Sequence, residues 1–176
     1  MQDYEALVRR GRKQAIFEAT SNAPLSLGRG AIERLIPHRE PFLLLDALAG
    51  ISLERRTIVG RRHIAASDPI FIGHFPGNPI YPGVLQLEAM GQLGLCLFAL
   101  HRHGRLDVLP SAEPADVRAL KIHDAVFLQP VLPGDDLVLL AQVLEVDDTI
   151  GTCIGQVIKG ESVCSVAVME VYFVES

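Results

Sequence analysis

From Val84 to Leu100 the chain is almost wholly apolar, and its only charge is Glu88. Gln86 and Gln92 are the only other polar side chains in the stretch. It shows no two-residue alternation and is too long for an ordinary strand, which predicts a helix buried on most of its faces. Gly91 and Gly94 lower helix propensity there and predict close packing against another backbone. A membrane span is the rival reading, but the stretch is short for that role and a central carboxyl is costly in hydrocarbon.

A helix of this kind needs a cover, and the last third of the chain supplies one. Val117–Phe127, Asp136–Val146, Thr152–Ile158 and Val163–Val174 read as strands, the last two joined as a hairpin through 159–162. Upstream, Gly30–Ile36 reads as one or two helical turns stopped by Pro37. Phe42–Asp46 reads as a short buried strand and Thr57–Ile64 as a weaker one. One long helix wrapped by an antiparallel sheet is an α+β layout. Residues 1–23 read as an N-terminal extension, with a short amphipathic helix over Tyr4–Ala19, and residues 24–176 as a single domain. The basic run of that extension, Arg9 to Lys13, has the ordinary reading of a solvated face.

Composition excludes several classes. A chain of 176 residues with 49% hydrophobic and 21% charged residues is globular and suits one domain. A net charge of −5 argues against general nucleic-acid binding, and Arg55, Arg56, Arg61 and Arg62 read as a solvated strand pair. Cys96, Cys153 and Cys164 are odd in number and form no CxxC, against a disulfide framework or structural zinc and in favour of a reducing cytoplasm. The first 20 residues mix charges throughout, so no secretory signal is expected.

Asp68–Gly83 holds four prolines and three glycines, a loop with a defined path, and His74 stands within it. A lone loop histidine is ordinarily a surface residue. Here it precedes a buried helix bearing one isolated carboxyl. Burial predicts a raised pKa for Glu88, since no basic residue lies at i±3 or i±4. The plainer readings for Glu88 are an exposed position or a structural hydrogen bond to Gln92. The functional reading is a general acid–base pair, with His74 as base and Glu88 as acid. Gly83, after Pro82, stands at the helix N-terminus, where free N–H groups can stabilise an oxyanion or simply start the helix.

Three segments give the chain a family likeness: Pro37-His38-Arg39-Glu40-Pro41-Phe42-Leu43-Leu44-Leu45-Asp46, the run Gly73 to Gln92, and Pro130-Val131-Leu132-Pro133-Gly134-Asp135. From about Leu25 to the C-terminus it resembles the FabZ-type 3-hydroxyacyl-[acyl-carrier-protein] dehydratases. The resemblance implies a hot-dog fold and a homodimer or trimer of dimers. Each active site would lie at a subunit interface, with His74 from one chain and Glu88 from the other. It implies dehydration of (3R)-3-hydroxyacyl thioesters to trans-2-enoyl thioesters, in fatty-acid synthesis or a related lipid, polyketide or polyene pathway. It implies acyl carrier protein as partner and neither metal nor redox cofactor, the substrate riding on a phosphopantetheine arm. The dehydratase/isomerase branch has Asp where this chain has Glu88, which favours simple dehydration. Phe75, Tyr81 and Leu85 are expected in an acyl tunnel. Two alternatives stand beside this one, a hot-dog thioesterase and a non-catalytic acyl-binding subunit.

The chain departs from the family pattern at three places. Phe127, Leu128 and Gln129 stand where basic residues are usual, Ala47 follows Asp46 in place of a basic residue, and the N-terminal extension is longer. Loss of positive charge weakens docking of an acidic carrier. The donor is therefore expected to be a specialised carrier protein or coenzyme A.

Overall fold

The computed structural model describes residues 3–174. The apolar stretch is one helix, α4, Gly83–His103. It ends at Gly104, whose φ of 63° is the left-handed conformation that glycine adopts without strain. His101, Arg102 and His103 occupy the last turn, where cations suit the helix dipole. By length and composition alone α4 would cross a membrane, but most of it is buried inside the fold.

Seven antiparallel strands wrap it: β1 (Ala23–Gly28), β2 (Ala47–Ser52), β3 (Thr57–His63), β4 (Val117–Phe127), β5 (Asp136–Val146), β6 (Ile150–Lys159) and β7 (Ser162–Phe173). Their order across the sheet is β1-β2-β3-β5-β6-β7-β4. The expected hairpin is β6–β7, turning at Gly160 with φ 57°. The helix sits unusually close to β6. A Cβ on Gly94 would lie 2.7 Å from the Cys153 sulfur, and one on Gly155 would lie 2.6 Å from the Met90 Cβ. Gly94 thus serves close packing, against the Cys153 side chain and not the expected backbone. Gly91 does not, for the space beside it is open.

Several expectations need correction. The strand expected at Phe42–Asp46 is an extended loop, although Leu43, Leu44 and Leu45 are buried. Its backbone is bonded by a side chain instead of a strand. Buried Gln92 accepts from Leu44 N–H (2.8 Å) and donates to Phe42 C=O (2.8 Å). The strands that do form there, β1 and β2, contain Pro24 and Gly50 and escape a pattern reading. The arginines expected to be a solvated pair divide. Arg61 is exposed, whereas Arg62 is largely covered and bonded to Asp46 at 3.2 Å. Asp46 also binds Arg29 (2.6 Å) and the His63 N–H. Burial opposes its charge, but these donors win and hold its pKa below the ordinary value.

The first helix, α1, is Tyr4–Gly11, shorter than the expected Tyr4–Ala19. Gln156, fully buried on β6, takes the backbone groups that further helix would have used. It donates to Gly11 C=O (2.6 Å) and Gln14 C=O (2.9 Å) and accepts from Ile16 N–H (3.0 Å). Val8 packs with Ile154, Val166 and Val168 on the outer face of the sheet. A second helix, α2 (Arg29–Leu35), lies where helical turns were expected. A one-turn helix, α3 (Ile70–Gly73), leads into His74.

Candidate active site

His74 closes α3 and begins the Pro/Gly-rich path to α4. Its Nδ1 lies 2.7 Å from the Ile80 carbonyl. A carbonyl can only accept, so Nδ1 is the donor, and in the neutral imidazole Nε2 carries the free lone pair. The Phe75 ring stacks on the imidazole, with centroids 4.0 Å apart. His74 thus has a fixed tautomer and a fixed ring plane.

His74 lines an open hollow with Tyr81, Gly83, Gln86, Phe127 and Leu128. Gly83 is the first residue of α4, and its N–H is among the first-turn donors that the helix cannot satisfy internally. A side chain is excluded there, since a Cβ on Gly83 would come within 2.7 Å of the Phe127 ring. Tyr81 is buried to 2% exposure, and burial pushes its hydroxyl up to about 12. Its ring forms wall, and no hydrogen-bond partner reaches the hydroxyl among the described residues. Leu85, expected in the tunnel, is partly buried and packs against the main core. Phe75 is half exposed and borders a different hollow, beside Phe71 and Pro79.

Glu88 is not among the residues that line this hollow. Its Oε1 accepts from Gln92 Nε2 at 2.9 Å and lies 3.1 Å from His38 Nε2. The sequence expectation of a raised pKa is overturned. Burial does raise it, but hydrogen bonds from His38 and Gln92 and the attraction of His38 outweigh burial and lower it. The basic partner was invisible to a search along the helix because it comes from the Pro37–Asp46 loop, 50 residues upstream. His38 is thus the site residue that sequence reasoning missed. Gln92 is the reason it is near: the same amide that clamps the loop backbone also holds the carboxyl.

A second feature was not expected. At the far end of α4 a largely apolar cavity is lined by Leu35, Leu95, Phe98, Ala99 and Phe173, with Arg34, Arg102 and Glu113 also on its wall. Leu95 and Ala99 lie seven and eleven residues beyond Glu88, on the same face of the helix.

Comparison with known proteins places this geometry. The FabA-like domain model matches residues 36–167, which include the clamped loop, His74, Gly83 and all of α4. The 3-hydroxyacyl-[acyl-carrier-protein] dehydratase FabZ of Xanthomonas campestris pv. campestris (strain B100) is 39% identical over 139 residues, covering 78% of this chain and 87% of that protein. The bifunctional enzyme LpxC/FabZ of Chlorobaculum tepidum is 38% identical over 140 residues, 79% of this chain, and the chain spans 28% of that longer enzyme. Among solved structures, the dehydratase heterocomplex ApeI:P from Xenorhabdus doucetiae shares the fold. Its TM-score is 0.68 at 19% identity, over 82% of this chain and 91% of that one. With the family model spanning the helix, the loop and the histidine together, the chain belongs to the FabA-like family of hot-dog dehydratases, beside its FabZ members.

Proposed function

We propose that this enzyme dehydrates (3R)-3-hydroxyacyl thioesters, delivered by acyl carrier protein, to trans-2-enoyl thioesters, with His74 as base and Glu88 as acid. The observation that carries the reading is the tautomer of His74: Nδ1–H is committed to Ile80, which leaves Nε2 free to take a proton. The Gly83 N–H at the positive end of α4 polarises the thioester carbonyl and acidifies C2–H. His74 Nε2 removes that proton. The C2–H electrons form the C2=C3 double bond, and the C3–O bond breaks. The leaving oxygen takes a proton from the Glu88–His38 pair and departs as water. In the single chain Glu88 favours its carboxylate, with its side chain 32% exposed. A bound substrate that covers it removes the remaining solvation, which favours moving the pair's proton onto Glu88. The apolar cavity beyond Ala99 suits the tail of the acyl chain.

Glu88 is not among the residues that line the His74 hollow of its own chain, which supports a site shared between two. The surface supports it as well. Among the described residues β4 pairs only with β7 and leaves an open strand edge, and Leu120, Ile122 and Phe127 on β4 are about half exposed. Such an edge is a template for pairing. We therefore read the enzyme as a homodimer or trimer of dimers. Three free, buried cysteines fit a reducing cytoplasm.

Enoyl thioester formation, followed by ultraviolet absorbance, tests the assignment. His74→Ala and Glu88→Gln should each lower kcat on the order of 10²–10⁴-fold, with circular dichroism unchanged. Near-normal turnover by either variant would refute its role. Thiol release from a saturated acyl thioester would favour a thioesterase instead.

A further inference from the structure

Four of the sixteen Lys and Arg residues fall between positions 9 and 13, in a chain whose net charge is −5. Arg9, Arg10, Arg12 and Lys13 are all exposed, and none makes an ion pair among the described residues. Arg9 and Arg10 suit the C-terminal dipole of α1. Arg12 and Lys13 lie past the end of the helix, so the dipole does not account for them. Their backbone is held rigidly. The carbonyls of Gly11 and Gln14 on either side are bonded to buried Gln156, and Val8 is sealed into the sheet.

This cluster has a specific neighbour. Arg9, Arg12 and Lys13 gather around Leu128, and Leu128 also lines the hollow of His74. One side chain therefore separates an unpaired cationic surface from the hollow. The connector beside the hollow has little free positive charge of its own. Positions 128 and 129 are Leu and Gln, and Lys159, which reaches Pro130 C=O, is paired with Asp135 at 3.0 Å.

We infer that the N-terminal extension supplies the docking surface for an acidic carrier protein, with Arg9, Arg12 and Lys13 steering its phosphopantetheine-bearing face to the mouth of the His74 hollow. The inference rests on the reading that substrates arrive on a carrier, and it names the surface that receives them. Like charges clustered at a cleft raise the encounter rate of an oppositely charged partner, an effect that salt suppresses. The weak carrier docking expected from Leu128 and Gln129 is offset by charge from a different part of the chain.

The test uses the full chain and one probe set: a 3-hydroxyacyl group on a bacterial fatty-acid acyl carrier protein, on coenzyme A, and on pantetheine lacking phosphate. The variants are R9E/R12E/K13E and the neutral R9Q/R12Q/K13Q, the second keeping helix-compatible side chains. The expected result is a KM for the carrier-borne substrate raised about tenfold or more in the charge-reversed chain, and less in the neutral one. Its salt dependence flattens, while kcat and the pantetheine reaction stay unchanged. An unchanged KM for the carrier-borne substrate would overturn the inference. So would an equal rise with coenzyme A, which would place recognition on the arm's phosphate. Fluorescence anisotropy of labelled carrier protein, which needs no turnover, separates the two claims. Binding lost in the variants supports the surface even if no thioester is dehydrated, and binding retained overturns it.

Discussion

At the scale of single residues, His74 and Glu88 are held in different ways. His74 needs one backbone carbonyl to fix its tautomer, and Ile80 provides it within six residues. The pattern of prolines and glycines around His74 therefore signalled a positioned side chain without any long-range knowledge. Glu88 depends on His38 across 50 residues of sequence, and no local rule could show that contact. That is why its isolation on the helix was legible and the direction of its pKa was not. Replacing His38 tests the distinction. His38 lowers the Glu88 pKa, so His38→Ala leaves burial as the stronger influence and the pKa rises. If Glu88 must hold a proton when the hydroxyl leaves, activity falls as pH passes its pKa. The alkaline limb of the pH–rate profile belonging to Glu88 should then move to higher pH in His38→Ala. A limb that stays in place would show that His38 does not set the acid.

At the scale of elements, α4 and the β6–β7 hairpin were readable because each follows its own period. The loop between α2 and β2 was not, because its pattern resembles a strand while its hydrogen bonds do not. Leu43, Leu44 and Leu45 are buried as strand residues would be, yet a glutamine amide replaces the neighbouring strand. Likewise α1 stops at Gly11 because Gln156 offers its backbone other partners. Both errors share one cause, a buried glutamine acting as a surrogate backbone. Gln92→Leu should cost about 1–3 kcal/mol for each backbone group left buried without a partner, lowering the denaturant midpoint. It should also loosen the loop that carries His38 and so reduce kcat. A variant as stable as the parent would mean that water or a rearranged backbone serves these groups instead.

At the scale of the whole molecule, the architecture follows from one helix that had to be covered, and the antiparallel sheet does so on all but one face. Along that face Glu88, Gly91, Leu95 and Ala99 follow one another toward the apolar cavity. The open edge of β4 and its exposed apolar side chains lie on the same protein, beside no described partner. A catalytic pair divided between subunits makes a demand that single-site variants do not. If the proposed pair is divided between two subunits of a dimer, chains carrying His74→Ala and chains carrying Glu88→Gln are each impaired, but a mixed dimer holds one site with both groups intact. The two chains should be co-expressed with different tags, and the oligomers bearing both tags isolated and assayed for enoyl thioester formation. A shared site predicts recovery of roughly a quarter to a half of wild-type turnover; mixed oligomers as inactive as either parent would contradict it.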